Sequence, residues 1–289
     1  MGTVYITQDD AFIGKTDERL SVKANKQRLL DVPLIKVDGV VVMGRATVSP
    51  AVVIELLERK IPLTFLTRTG RYLGSLEPPL SKNIYLRSAQ WEAAREESRK
   101  LAIVRSFIRG KLKNYRNSLL RLQREAGADV QSAVDGVGRS IDGLAAMGSV
   151  DTLRGLEGNG SALYFGCFDR FIRVEGFSFA GRNRRPPTDP VNALLSFGYA
   201  LLLHDVQSAV TMVGFDPYLG FLHAERYGRP SLALDLMEEF RPLVVDAVVL
   251  AAINKRSLVP EDFEQEPISG AVRLSDEGRR TFLRLYEQK

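Results

Sequence analysis

The hydrophobic period of the chain changes once, at a proline-containing stretch, GSLEPPLSKN, from Gly74 to Asn83. Before it, short runs of β-branched and apolar residues alternate with glycine and polar residues, which is typical of strands. From Ile84 to Arg124, apolar residues recur at helical spacing instead. Two adjacent prolines resist both helix and central strand. The pattern therefore predicts an α+β chain, with a small β-rich domain at residues 1–76, a linker at 77–84 and a larger all-α domain at 85–289.

Several short runs in the first part have the composition of strands. They are Thr3 to Thr7, Leu20 to Ala24, Leu34 to Val37, Val40 to Met43, Pro62 to Leu66 and Arg71 to Leu76. Asp38-Gly39 separates two of these runs and predicts a hairpin turn. Ser49-Pro50 has the form of a helix N-cap followed by a proline in the first turn, so it predicts one helix in this domain.

Composition excludes some classes of protein. With 45% apolar and 26% charged residues, the chain is typical of soluble globular proteins. Cys167 is the only cysteine, which rules out an internal disulfide framework and a cysteine-rich zinc site and fits a reducing cytoplasm. The N-terminus has neither the basic start nor the apolar core of a signal peptide. The apolar run from Leu243 to Ile253 is too short to span a bilayer. We expect a cytoplasmic protein without membrane association.

Basic residues are concentrated in two places in the second part. No acidic residue occurs between Arg99 and Arg124, and a basic loop, GRNRRPP, spans Gly181 to Pro187. With a net charge of +5, these faces favour contact with nucleic-acid phosphates, although a solvated helix face is the alternative. Asp189-Pro190 then predicts the start of a long apolar helix that carries His204.

Three acidic residues occur in an otherwise apolar stretch, RPSLALDLMEEFRPLVVDAVV, from Arg229 to Val249. Glu238 and Glu239 follow Asp235 by three and four residues, so a helix brings them to the same side as Asp235. Carboxylates beside so much apolar surface are costly unless something pairs them. A divalent cation would pair them, and so would an arginine such as Arg241. A packed helix with a solvated acidic edge is the other interpretation.

Two further residues could join these acids. His223 precedes Asp235 by 12 residues, close enough for a short loop to bring it to the acidic face. Glu157 lies in a glycine-rich region that we expect to end in a helix-to-helix loop, with a helix from Ser161 to Val174. Gly160 lacks a side chain, so a ligand or another backbone could come close there. Carboxylates with one histidine suit Mg²⁺ or Mn²⁺, but spacing alone does not select Glu157.

Three motifs, in order, carry a family resemblance: LRGLEGNGSALYFGCF, RPPTDPVNALLSFGYALL and GFLHAERYGRPSLALDLMEEFRP. With them the chain resembles the CRISPR-associated integrase and endonuclease family, the first-numbered Cas proteins, which act in spacer acquisition for antiviral defence. The resemblance covers nearly the whole chain, since the N-terminal strands and GRYLGSLEPP also fit. It implies a small β-domain, a helical catalytic domain and a homodimer joined through the β-domain.

The resemblance also implies the site. By motif, Glu157, His223 and Glu238 are the catalytic residues and the ligands of Mg²⁺ or Mn²⁺, and Asp235 is a neighbour that orients them. Basic residues around the site hold DNA in this family. On that basis we nominate Lys111, Arg184 and Arg185 as DNA contacts.

The implied reaction inserts short DNA spacers into a CRISPR repeat array, as the 3′-hydroxyl of a spacer precursor attacks a phosphodiester bond. A small second adaptation protein is the implied partner. Two alternatives remain at this stage. One is a non-catalytic DNA-binding subunit, and the other is a non-haem iron enzyme that uses His204, His223 and a carboxylate.

Overall fold

The computed structural model describes residues 2–76 and 83–289. The chain divides into two compact units, one comprising Met1–Leu80 and Leu283–Gln288, the other Ser81–Phe282 and Lys289. The first contains two four-stranded sheets and the second is mainly helical. The predicted α+β class is confirmed. Of the linker expected at 77–84, residues 77–82 lie outside the described residues, so the domain boundaries and the dimerisation role remain predictions.

The described part of the first unit contains eight strands and a short helix. They are β1 (Gly2–Ile6), β2 (Ala11–Thr16), β3 (Arg19–Ala24), β4 (Gln27–Pro33), β5 (Val37–Met43), β6 (Ala46–Val48), α1 (Pro50–Glu58), β7 (Leu63–Leu66) and β8 (Tyr72–Leu76). One sheet has the strand order β1-β5-β7-β8 and the other β4-β3-β2-β6. Helix α1 begins as predicted, because the Ser49 side chain accepts a hydrogen bond from the Val52 backbone N–H.

The hairpin turn expected at Asp38-Gly39 was a wrong prediction. β5 runs through both residues, paired in parallel with β1 on one side and β7 on the other. This central position buries Val40, Val41 and Val42. Burial on both faces outweighs the local turn signal. Residues Leu34–Lys36 form a single 3₁₀ turn rather than a strand.

The rest of the described chain is predominantly helical. Its helices are α2 (Ile84–Arg95), α3 (Glu97–Ala126), α4 (Gln131–Gly143), α5 (Val150–Gly166), α6 (Pro190–Val213), α7 (Ser231–Phe240), α8 (Ala247–Asn254) and α9 (Asp276–Glu287). A two-stranded antiparallel pair, β9 (Phe263–Gln265) with β10 (Val272–Leu274), was not anticipated from the sequence. It is small, so the helical character of this part stands.

Helix α5 corrects the expectation of a loop around Glu157. It begins at Val150 and places Glu157 in its middle. The start is fixed by a capping box in which the Ser149 and Thr152 side chains each bond the other's backbone N–H. One of the glycines that suggested a loop, Gly160, serves packing instead. At Gly160, a Cβ would collide with Leu112 on α3, so glycine allows the two helices to approach closely.

Helix α6 contributes twelve buried residues to the core of the second unit. The Asp189 side chain caps this helix at the Asn192 N–H, as the Asp-Pro pair predicted. By length and composition α6 could cross a membrane, but 56% of its most apolar window is buried within the protein. Such burial is typical of the core helix of a globular unit.

The acid-rich stretch is helical with one irregularity. Between α7 and α8, residues Pro242–Asp246 form a π-helical turn, in which the Asp246 N–H donates to the Arg241 carbonyl at 3.0 Å. Turns of this type frequently occur at functional sites. Here the turn places Asp246 in the interior, fully buried.

Candidate active site

A cavity of about 1000 Å³ lies within the helical unit, and the three predicted catalytic residues line it. Glu157 comes from α5, His223 from the loop before α7, and Glu238 from α7. These are joined in the cavity wall by a group of basic side chains. They are Lys111, Arg182, Arg184, Arg185, Arg226, Arg229 and Arg241. Since Glu157 and Glu238 are the only acids among the described residues that line it, the cavity wall is strongly cationic.

Lys111 of α3 joins the two carboxylates. Its Nζ pairs with Glu157 Oε1 and lies 2.6 Å from Glu238 Oε2. The Lys111 side chain is only 4% exposed, so these ion pairs compensate for the loss of hydration. Burial alone lowers the pKa of Lys111, but Tyr115 and the carboxylates of Glu238 and Glu157 together outweigh burial and raise the pKa. The ammonium is therefore fully charged at neutral pH.

Glu238 carries a second cationic partner. Arg241 Nη2 lies 3.2 Å from Glu238 Oε1, one helical turn further along. Burial raises the pKa of the Glu238 carboxyl, but the charges of Arg241 and Lys111 outweigh it and bring the pKa down to about 2. Glu238 is consequently ionised throughout the physiological range.

Asp235 fixes the position of His223. Its Oδ1 lies 2.7 Å from His223 Nδ1 and accepts the His223 backbone N–H at 2.8 Å. Its Oδ2 accepts the backbone N–H groups of Phe221 and Leu222 at 2.6 and 2.9 Å. An ionised Asp235 requires Nδ1 to carry a proton, so in the neutral imidazole the lone pair is on Nε2. Nε2 lies 3.8 Å from Glu238 Oε1.

Sequence reasoning missed two residues that hold the His223 loop. Arg154, one turn before Glu157 on α5, donates through Nε to the Leu222 carbonyl at 2.9 Å. Gln90 of α2 is buried and bonds the backbone of the preceding loop, donating to the Asp216 and Leu219 carbonyls at 2.9 Å. These contacts join separate elements, so no local pattern points to them.

An aromatic and ionic network behind the cavity was also missed. The guanidinium groups of Arg182 and Arg241 lie over the Tyr199 ring, 5.4 and 4.9 Å from its centroid. The Tyr199 hydroxyl donates to Asp246 Oδ1. The network thus holds two arginines of the cavity wall against a buried aromatic ring. One signal in the sequence was Asp246 itself, an acid inside the apolar run from Leu243 to Ile253.

The other nominated residues have different surroundings. Arg184 and Arg185 are exposed at the cavity wall. The Glu239 carboxylate lies against Gly110 of α3, and Glu239 is not among the residues that line the cavity. His204 is buried on α6 and does not line the cavity, and burial lowers its pKa to about 4. A centre with two histidines is therefore not assembled in this cavity.

The donor types around the cavity suit a hard divalent cation, since two carboxylates and an imidazole are ligands that Mn²⁺ accepts. In the part of the chain that the structure describes, however, no three acidic, histidine or cysteine side chains are grouped as a ready metal centre. Lys111 instead supplies the positive charge that pairs Glu157 with Glu238. The types of donor atom suit a metal ion. In this structure, however, the cation that pairs with both carboxylates is the Lys111 ammonium.

Comparison with known proteins identifies the family of the chain. The model of the family described as CRISPR associated protein Cas1 matches residues 4–288. A relative from Rhodospirillum rubrum, named CRISPR-associated endonuclease Cas1 2, is 42% identical over 300 residues, covering 100% of this chain and 86% of the relative.

Solved structures give the same result. A CAS1 protein from Thermotoga maritima is 28% identical with a TM-score of 0.85, and the similarity covers 100% of this chain and 90% of that one. A chain in a Cas6-RT-Cas1–Cas2 complex is 29% identical with a TM-score of 0.81, over 99% of this chain and 32% of that chain. The protein is therefore a member of the CRISPR-associated Cas1 family.

Proposed function

We propose that this protein is a divalent-metal-dependent DNA endonuclease and integrase that inserts short spacers into a CRISPR repeat array. The observation that carries the proposal is the convergence of Glu157, His223 and Glu238 on one cationic cavity. Relatives at 35–42% identity that are named as Cas1 endonucleases support the nuclease class. A non-catalytic DNA-binding subunit would have no need of three such residues in a cationic cavity.

The basic wall of the cavity is suited to binding DNA phosphates. Arg184, Arg185, Arg226 and Arg229 present guanidinium groups, which hold phosphate oxygens through paired N–H donors. Such contacts align the attacking 3′-hydroxyl with the target phosphodiester, and alignment itself lowers the barrier. They bind phosphates without reading base sequence.

Glu157, His223 and Glu238 are the residues that would hold Mg²⁺ or Mn²⁺. When bound, the ion supplies Lewis-acid stabilisation of the charge that develops on the phosphoryl oxygens. Asp235 keeps the Nδ1 proton of His223 in place, so that Nε2 presents its lone pair to the cavity. Arg241, whose guanidinium lies over the Tyr199 ring, forms an ion pair with Glu238 and so fixes the position of its carboxylate.

The proposal extends to partners. A Cas1–Cas2 complex is among the similar structures, and we propose that this chain likewise assembles with a small second adaptation protein, acts on spacer precursor DNA, and works as a homodimer in the cytoplasm.

Alanine variants test the catalytic assignment. Glu157→Ala, His223→Ala and Glu238→Ala should each lower cleavage and strand transfer with Mn²⁺ by more than about 100- to 1,000-fold, because each removes transition-state stabilisation. DNA binding should remain. Asp235→Ala should lose less activity, since it acts through His223.

His204→Ala is the matched control, because this histidine lies outside the cavity. It should retain nearly full activity if the variant is folded. Full activity in Glu157→Ala would contradict the proposal, and an inactive but folded His204→Ala would favour the two-histidine iron centre.

A further inference from the structure

Lys111 has surroundings that a simple DNA contact does not require. A lysine that binds phosphate from a cavity wall is usually accessible, whereas Lys111 is 4% exposed and pairs with two carboxylates from two other helices. Its Nζ also lies 5.5 Å from the centroid of the Tyr115 ring, which limits the space behind it. The ammonium is thus enclosed by the two glutamates and an aromatic ring.

We infer that Lys111 is a built-in counter-ion of the active site, which holds Glu157 and Glu238 together without metal and competes with a divalent cation for them. The inference rests on the proposed function, because it takes the two carboxylates to be metal ligands. It assigns Lys111 a role in setting metal affinity, distinct from the phosphate contact first nominated for it.

Electrostatics makes this competition necessary. A cation bound by both carboxylates would lie a few ångströms from the ammonium, and like charges so close together repel each other even at the effective dielectric constant of about 20 for such sites. One atom of each glutamate, Glu157 Oε1 and Glu238 Oε2, is already bonded to Nζ. A metal that uses these oxygens must displace the ammonium towards the cavity.

The test uses Mn²⁺ alone, titrated calorimetrically into the full-length protein without DNA. Lys111→Met keeps a similar length and removes the charge, so its Kd for Mn²⁺ should be about tenfold lower than that of the wild type, or lower still. Lys111→Arg retains a cation and should not gain this affinity. Lys113→Met is the matched control, because Lys113 is exposed on the same helix, and its Kd should equal that of the wild type.

Stability gives an independent readout. Without metal, Lys111→Met leaves the buried Glu238 and the partly exposed Glu157 without their shared partner and should have a lower Tm than the wild type. Mn²⁺ should raise the Tm of Lys111→Met more than that of the wild type, because a ligand that binds more tightly stabilises more.

A third measurement needs no variant at Lys111. Lysine acylation of the wild type, followed by mass spectrometry, should label Lys111 slowly without metal and faster at saturating Mn²⁺. Lys113 should react equally in both conditions. Unchanged labelling of Lys111 at saturating Mn²⁺ would overturn the inference, even if Lys111→Met did not fold.

The outcomes separate this inference from the proposed function. If Glu157→Gln abolishes Mn²⁺ binding while Lys111→Met binds as the wild type does or more weakly, the metal site stands and the counter-ion role is wrong. If neither the wild type nor Lys111→Met binds Mn²⁺, the metal assignment fails and the inference fails with it. If Lys111→Met binds Mn²⁺ more tightly than the wild type and Lys111→Met/Glu157→Gln loses this binding, the results support both the metal site and the counter-ion role of Lys111.

Discussion

Asp246 is a buried carboxylate whose ionisation affects the stability of the active-site region. Burial raises its pKa to about 6 from an ordinary value of 3.8, although the hydrogen bond from Tyr199 opposes the shift. A raised carboxyl pKa means that the folded state holds a proton that the unfolded state has lost. The contribution of Asp246 to stability is therefore greatest below about pH 4 and is lost as the pH rises through 6.

Asp246→Asn removes this dependence. Between pH 4.5 and 7.0, the free energy of unfolding of the wild type should fall relative to that of the variant by about 2 kcal/mol, given 1.36 kcal/mol per pKa unit. Urea unfolding of both proteins at the two pH values measures the change. A constant difference between the proteins at both pH values would contradict the raised pKa.

The sequence contained part of the active site. Helical spacing placed Asp235 near Glu238, and the acid-rich stretch itself indicated a need for cationic partners. It could not choose between a metal and a basic side chain. Lys111 lies on the apolar face of α3, between Ile108 and Tyr115, which was an available sign of burial. Its partners are 46 and 127 residues away, so only the fold identifies them.

At the scale of helices, the close approach of α3 and α5 sets the distance between Lys111 and Glu157. Gly160 permits this approach, because a Cβ there would overlap the fully buried Leu112. We predict that Gly160→Ala lowers the free energy of unfolding by about 1–3 kcal/mol, the usual cost of overpacking a core. Thermal or urea unfolding measures the loss.

Gly155→Ala provides the control for this change. Gly155 lies on the same helix with no atom within 4 Å of the position of its Cβ. Alanine should therefore stabilise the helix there, by up to about 1 kcal/mol. Equal effects of the two substitutions would show that helix propensity, rather than the contact with Leu112, controls stability at Gly160.

Elements were predictable where one local signal dominated. The capped starts of α1 and α6 followed from Ser49-Pro50 and Asp189-Pro190. Predictions failed where tertiary pairing outweighed local preference. Asp38-Gly39 became part of a central strand, and the glycine-rich segment around Glu157 became part of α5, where Gly160 contacts α3. The π-helical turn at Pro242–Asp246 was not predicted, although it begins at a proline, which cannot donate a backbone hydrogen bond within a helix.

At the scale of the whole molecule, assembly is still a prediction. We expect a homodimer joined mainly through residues 1–76. β4 lies at the edge of its sheet, and Leu29 on it and the nearby Ile35 are 51% and 73% exposed. Exposed apolar edges favour pairing with another chain. Light scattering at micromolar concentration should give twice the 32.2-kDa chain mass.

Charge substitution locates the contact. Leu29→Glu should shift the measured mass towards one chain, because a carboxylate would be buried in the interface. Lys23→Ala, at an exposed position on β3, should leave the dimer intact. A wild type that scatters as a single chain would contradict the dimer, and a dimer that is insensitive to Leu29→Glu would place its interface elsewhere.

DNA binding should depend on the charge of the cavity wall and thus on salt. Arg184 and Arg185 are exposed there, and each phosphate that a basic residue neutralises steepens the fall of log K with log salt by roughly 0.9 on duplex DNA. Arg184→Glu/Arg185→Glu should weaken binding equally for repeat and unrelated duplexes and reduce that slope by about two.

Lys255→Glu/Arg256→Glu is the control, because it changes the net charge by the same amount at an exposed basic pair outside the cavity. Comparing the two double variants separates the effect of the position of the charges from the effect of net charge. Fluorescence anisotropy between 50 and 200 mM salt (about the range in which such slopes are resolved) measures both variants. An affinity that does not change with salt, or an equal loss in the two double variants, would mean that the cavity arginines do not hold the DNA.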